Sequence, residues 1–344
     1  MSVVLVPPLR LALAQYTAAR ERGADIGPAL RAFIAATAEQ PPASIASAEG
    51  PIAAGAKMWS RSVELSVFRR RVLGHKEDLA VLESLPDAAY LFLFHRNGYL
   101  RQASLERLAC PVPTPFLAAT LAWRRNDWVR QVRQSAEAAM ARCFLLTGPE
   151  VLAPFYLESI RVRSTWQRWN DQGMLALDTH AGRPDVAARI ARLLAERISG
   201  PLPTSARKLT RHAAFDPFLG MLAREARVPG VRAVAIEAPA KGFAEWEDGF
   251  ETFWINKPEG ISGRRPRMSR RALAVANDRN AALRLGLADR SAEVRRSALR
   301  AIIADGLGDA GLAELTRPLL QDRSPSVRAK AAFIIEQAAA VSAG

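Results

Sequence analysis

The sequence predicts an all-α fold, an α-α superhelix in which antiparallel helix pairs stack as a solenoid. Three observations carry that prediction. One spelling recurs at Asp127–Ala136, Asp289–Ala298 and Asp322–Ala331: Asp, four residues, Val-Arg, two residues, Ala. The second and third copies stand 33 residues apart, a period typical of stacked helical repeats. After each Val, apolar residues return at helical offsets: Val132, Ala136, Ala139, Met140, then Val294, Ala298, Ala301, Ile302, then Val327, Ala331, Ile334, Ile335. One face of a 3.6-residue helix is therefore apolar in every copy. A single helix pair cannot bury such a stripe alone, and stacking on the next pair supplies the missing surface.

Taken in order, residues 1–39 predict a capping pair of helices, Pro8–Arg22 and Ile26–Glu39, parted by Gly23-Ala-Asp. Residues 40–56 are rich in Pro, Ala, Ser and Gly and predict a linker. Residues 57–237 predict partly degenerate repeats. They open on the stripe Trp59, Val63, Leu65, Val67 and Phe68, and continue through helices at Pro86–Phe94 and Tyr99–Leu108. Thr114-Pro115 has the form of an N-cap followed by proline in the first turn, and Asp216-Pro217 echoes it. Further helices are expected at Pro149–Trp169, Pro184–Ile198, Thr204–His212 and Pro217–Arg227. Residues 238–271 interrupt the array. Phe243, Trp246, Phe250, Phe253 and Trp254 fall on one face of a helix there, and Arg264, Arg265, Arg267, Arg270 and Arg271 around Pro266 predict an exposed loop. Residues 272–344 hold the two final repeats. Strict alternation of apolar and polar residues is absent, so no strand is predicted.

The recurring spelling resembles the second-helix signature of HEAT repeats. In that family the Asp and the Arg form a hydrogen-bonded ladder between successive repeats. Carried onto this chain, the resemblance implies fold-holding roles for Asp127 with Arg133, Asp289 with Arg295, and Asp322 with Arg328. It is strong over 270–340, good over 113–145, weaker at Val231-Arg232, where Ala226 takes the Asp position, and marginal at Leu100-Arg101.

The balance of 48 basic to 34 acidic residues gives a net charge of +14, which favours an acidic partner. Cys110 and Cys143 match neither a metal cluster nor a disulfide framework, so buried, reduced thiols are expected, as in a cytoplasmic protein. The first residues lack the marks of a signal peptide, and no run approaches the roughly 20 apolar residues of a membrane span. Neither a membrane nor a metal is expected as a partner.

Catalytic patterns are missing. His75, His95, His180 and His212 share no ligand spacing, and there is no phosphate-binding Gly loop or nucleophile elbow. Asp127, with Trp128 beside it and Trp123 one turn earlier, invites comparison with HEAT-like DNA glycosylases of the alkylpurine type. Those place the catalytic Asp directly after a Val in a Trp-Trp-x-x-Val-Asp stretch. Here the corresponding pair is Val132-Arg133, so the carboxylate is absent. No catalytic residue and no cofactor is assigned. Two stretches have the composition of partner contacts: Arg161, Arg163, Trp166, Arg168 and Trp169, which interleave cations with aromatics, and the arginine group at 264–271. The expected function is that of a non-enzymatic binding scaffold with an extended basic surface. A protein partner is expected ahead of DNA or RNA.

Overall fold

The structure is a computed structural model that describes residues 5–58, 77–166, 168, 177–275, 278–304 and 310–343. The expected stripe from Trp59 to Phe68 and the expected contact Trp169 lie outside the described residues. The chain is mostly helical and divides into two compact units, Met1–Val186 and Ala187–Gly344.

In the first unit, α1 (Pro7–Glu21) and α2 (Gly27–Ala36) pack on each other, and each begins with proline in its first turn. The segment expected to be a linker is instead a short 3₁₀ turn, Pro42–Ser44, leading into helix α3 (Ile45–Gly55). Its Ile45, Ala48 and Ile52 are fully buried, at the i, i+3, i+7 spacing of a core-facing helix. Then come α4 (Ala88–Phe92), buried along its whole length, α5 (Gly98–Arg107), α6 (Pro115–Trp123), α7 (Arg130–Leu146) and α8 (Pro149–Val162). The expected cap at Thr114 is present: its Oγ1 accepts from the Leu117 N–H at 3.3 Å. Packing runs α5 on α7 and α6 on α8, so alternate helices are neighbours.

Cys110 and Cys143 are joined in a disulfide rather than standing as reduced thiols. Cys110 follows α5 and Cys143 lies in the last turn of α7, so the bond ties two neighbouring helices. Disulfides persist in oxidising compartments, so the expected reduced thiols no longer count among the grounds for a cytoplasmic setting. No helix among the described residues is long and apolar enough to cross a membrane.

The second unit begins within α9 (Pro184–Glu196) and continues through α10 (Leu202–Leu209), α11 (Leu219–Glu225), α12 (Pro229–Lys241), α13 (Arg279–Leu287), α14 (Ala292–Ala304), α15 (Ala310–Thr316) and α16 (Pro325–Ala343). From α11 on, each odd member packs on the even one that follows: α11 on α12, α13 on α14, α15 on α16. The even helices α10, α12, α14 and α16 also touch in succession, as do α11, α13 and α15. The close approach is written in small residues. A Cβ on Gly286 would stand 2.8 Å from Ala298 Cβ and 2.9 Å from Ile236 Cγ2.

The recurring Asp and Arg do more than pair within one copy. Arg133, Arg295 and Arg328 each donate through Nη1 to the main-chain carbonyl of the Asp six residues earlier, at 2.7–2.8 Å. The carboxylates turn to the arginine of the preceding pair. Arg101 grips Asp127 through Nε and Nη2 at 2.7 and 2.8 Å, Arg232 grips Asp289 at 2.7 and 2.9 Å, and Arg295 grips Asp322 at 2.6 and 2.9 Å. Each Asp Oδ1 also accepts from the N–H two residues on, which fixes the turn into the helix. The spelling is thus explained by three jobs of one Asp. The expected pairing of Asp127 with Arg133 holds at the backbone only, and the side-chain rung crosses to the neighbouring helix. Arg101 and Arg232, the weaker copies, have the same geometry as the rest: their Nη1 donates to the carbonyls of His95 and Ala226.

Residues 238–271 do not form an aromatic helix and an arginine loop. Strand β1 (Phe243–Asn256) pairs antiparallel with β2 (Ile261–Ala272) in a two-stranded hairpin. It is inserted between α12 and α13, yet the Arg232–Asp289 rung closes across it, spanning 57 residues of sequence.

Candidate docking site on the hairpin

The hairpin is anchored at its root. Gly242, with φ of +76°, takes the left-handed conformation that ends α12 and starts β1. Arg271 donates to Asp216 Oδ2 at 2.8 Å and to the carbonyls of Thr210 and Arg211. The Asp216 side chain is fully buried and also accepts from the Ala274 N–H. Ala244, directly opposite Arg271, is buried too. Arg271 is therefore consumed in holding the arm rather than offered to a partner.

Beyond Glu247 nearly every residue of both strands is exposed. The register assigns the side chains to two faces, because directly opposed residues share a face and successive ones alternate. One face carries Phe243, Glu245, Glu247, Phe250, Thr252 and Trp254 opposite Ala272, Arg270, Met268, Pro266, Arg264 and Ser262. The other carries Trp246, Glu251 and Phe253 opposite Ser269, Arg265 and Gly263. The five aromatics placed together by a helical reading are thus divided between two sides.

The two faces differ in chemistry. On the second, Arg265 pairs with Glu251 at 2.5 Å, Arg267 reaches Asp248 at 3.4 Å, and Phe253 closes on Gly263, where an added Cβ would stand 2.7 Å from the Phe253 Cζ. That side is self-neutralised. On the first, Arg264 lies over the Phe250 ring at 5.2 Å and Arg270 over the Phe243 ring at 5.6 Å. Among the described residues, neither of these arginines meets a carboxylate within ion-pair distance. Between them Phe250 and Met268 stand in solvent, 62 % and 47 % exposed, with Glu247 opposite Met268, and Trp254, 57 % exposed, lies just beyond Arg264. At the root of the same face, Glu247 borders a cleft of about 230 Å³ whose other walls include Arg207, Lys208, Ser297 and Arg300.

The second expected group of contacts is dispersed. Arg163 is buried against Asp178 at 2.6 Å, where desolvation raises the Asp178 carboxyl above its ordinary range despite that cation. Trp166 is buried and meets Trp123 edge to face at 5.5 Å. Burial removes both from any partner surface. Arg161 and Arg168 are exposed, and Arg168 donates its main-chain N–H to Asn126 Oδ1. Asp127, the carboxylate nearest to the glycosylase comparison, is buried and bound by Arg101 and by Arg124 Nη1 at 3.1 Å. Trp128 beside it is exposed. Among the described residues no three His, Cys, Asp or Glu gather in a metal-holding group.

No family model matches the chain, and no curated protein and no solved structure matches it either.

Proposed function

We propose that this chain is a HEAT-like solenoid that acts as a non-enzymatic scaffold, and that the hairpin is its docking arm for a protein partner. The solenoid reading is supported by the rungs Arg101–Asp127, Arg232–Asp289 and Arg295–Asp322, each of which joins one helix pair to its neighbour. One observation carries the docking reading. The outer hairpin exposes Phe250, Trp254, Ile255 and Met268 with no helix to cover them. A two-stranded ribbon is marginally stable in water without a packed face, and exposed aromatic side chains beside arginine have the composition of binding hot spots.

A protein suits this surface better than nucleic acid. Of the five arginines at 264–271, one anchors the root and two are neutralised by Asp248 and Glu251. The remaining two lie six residues apart on one strand, about 20 Å at the rise of an extended chain. Pro266, Phe250, Met268 and the carboxylate of Glu247 fill the interval, where a phosphate backbone would call for further cations.

The test is to incorporate the photo-crosslinker p-benzoylphenylalanine at Phe250 and, as a control, at the exposed Tyr99 of α5, in the native cell. A discrete protein adduct at position 250 only is the expected result. A nuclease-sensitive adduct, or none, overturns the proposal.

A further inference from the structure

We infer that the segment docking on the arm is an extended chain with an apolar centre and a carboxylate at each end. This rests on the docking reading above and goes further by naming the partner's chemistry. Charge complementarity carries it. On the Phe250 face two exposed guanidinium groups, Arg264 and Arg270, flank Pro266 and Met268, and both lie over rings; of the two carboxylates on that face, Glu245 is taken by Lys241 and Glu247 borders the root cleft lined by Arg207, Lys208 and Arg300. A cation stacked on an aromatic ring keeps its charge and its outward N–H donors, so it can still take a carboxylate. The Glu251–Arg265 and Asp248–Arg267 pairs on the opposite face have no such unmet charge, which makes the site one-sided.

The shape of the ribbon selects an extended occupant. Two strands are about 5 Å apart, narrower than the roughly 10 Å diameter of a helix with its side chains. An extended chain rises about 3.3 Å per residue, so carboxylates about 20 Å apart stand at positions i and i+6. Alternation then turns i+2 and i+4 toward Phe250 and Met268. The second unit as a whole, with 26 Lys and Arg against 17 Asp and Glu, favours approach of such a segment.

The probe is a fluorescein-labelled peptide of the pattern Glu-Ser-Leu-Ser-Phe-Ser-Glu, titrated with the full-length chain and followed by anisotropy. Controls are the same peptide with Lys at both ends, one with its two Glu adjacent, and an oligo(dT) of equal length. Binding of the first peptide alone is expected. The double variant Arg264→Glu, Arg270→Glu should weaken it by about tenfold or more, whereas Arg265→Glu, Arg267→Glu should change it less than about twofold. The first double variant should gain binding of the Lys-ended peptide, which also shows that it is folded. Equal loss in both double variants, tighter binding of oligo(dT), or no binding of the Glu-ended peptide overturns the inference. The two readings fail separately. A protein adduct at position 250 without peptide binding removes the acidic segment and leaves the docking arm. Absence of an adduct removes the arm itself.

Discussion

The outer arm and its anchor can be separated by two perturbations, one that removes the arm and one that removes a single side chain at its root. In the first, residues 248–267 are replaced by Asn-Gly, which closes Glu247 to Met268 with the two-residue turn that suits a right-twisted hairpin. The removed residues are almost all exposed, so the helices lose little buried surface and the cost should be below about 1 kcal/mol. In the second, Arg271→Ala leaves the whole arm in place but strips Asp216 of its guanidinium. The Asp216 side chain is fully buried and, among the described residues, keeps only the Ala274 N–H. Leaving a buried charge without its partner costs about 3–5 kcal/mol, and the surviving N–H puts this case toward the lower end. At about 1.4 kcal/mol per factor of ten, that loss speeds amide exchange at sites opened by unfolding by about a hundredfold. Hydrogen exchange read by mass spectrometry over α11 and α12 is the assay. The shortened protein should keep wild-type protection, and Arg271→Ala should lose it. Equal loss in both proteins, or none in Arg271→Ala, refutes the division of the hairpin into a structural root and a free arm.

Three further outcomes are expected. Hydrogen bonds from Arg295 and Ser324 hold the Asp322 carboxyl below its ordinary range, and at Asp289 the bonds from Arg232 and Ser291 outweigh an opposing burial. A lowered folded-state pKa means that the rungs stabilise fully above the ordinary carboxylate range of about 4 and lose that contribution as pH falls through the lowered values. Helical circular dichroism should therefore fall in that acid window, and Asp289→Asn with Asp322→Asn should flatten the fall; an unchanged profile would exclude the rungs. Gly286→Val should lower the melting temperature, because overpacking where Ala298 and Ile236 already close on the backbone costs about 1–3 kcal/mol, and unaltered melting would contradict that contact. Peptide mapping of alkylation-trapped protein should recover Cys110 and Cys143 as one linked peptide; two separately alkylated cysteines would instead indicate a reducing compartment.

What could be seen in the sequence follows from where surface is buried. Val132, Val294 and Val327 are completely buried, and their spacing was legible because one side of each helix faces a neighbour. The Arg101 copy was faint because Leu100 replaces the Val and His95 takes the place of the Asp, whose carbonyl alone is needed for the Arg101 bond. The hairpin was illegible for the opposite reason. Alternation marks a strand only when one face is buried, and beyond its root neither face of this ribbon is. Phe243, Trp246, Phe250 and Phe253 then imitate a helical stripe by spacing alone. A usable signal was present in Thr252-Phe-Trp-Ile, followed by Pro258-Glu-Gly260 and Ile261, a β-prone run broken by turn residues. The disulfide had one as well. Cys110 and Cys143 are 33 residues apart, the same interval as the Asp repeat, which brings them to neighbouring helices.

The position of the insertion explains how a helical stack can carry so exposed an arm. Helices α12 and α14 are held side by side by Arg232 and Asp289, and that bond depends on no residue of either strand. The root makes its own bonds, from Arg271 to Asp216 and to the 210–211 carbonyls. Folding of the repeats and presentation of the ribbon therefore rest on different side chains. Changes at Phe250, Trp254, Arg264 or Arg270 alter the exposed surface of the arm without touching the rungs. Changes at Asp289 act on the stack and leave the chemistry of the outer arm as it was. The same independence allows the strands their exposed aromatic and cationic composition, since residues outside the packed helices need not satisfy a core.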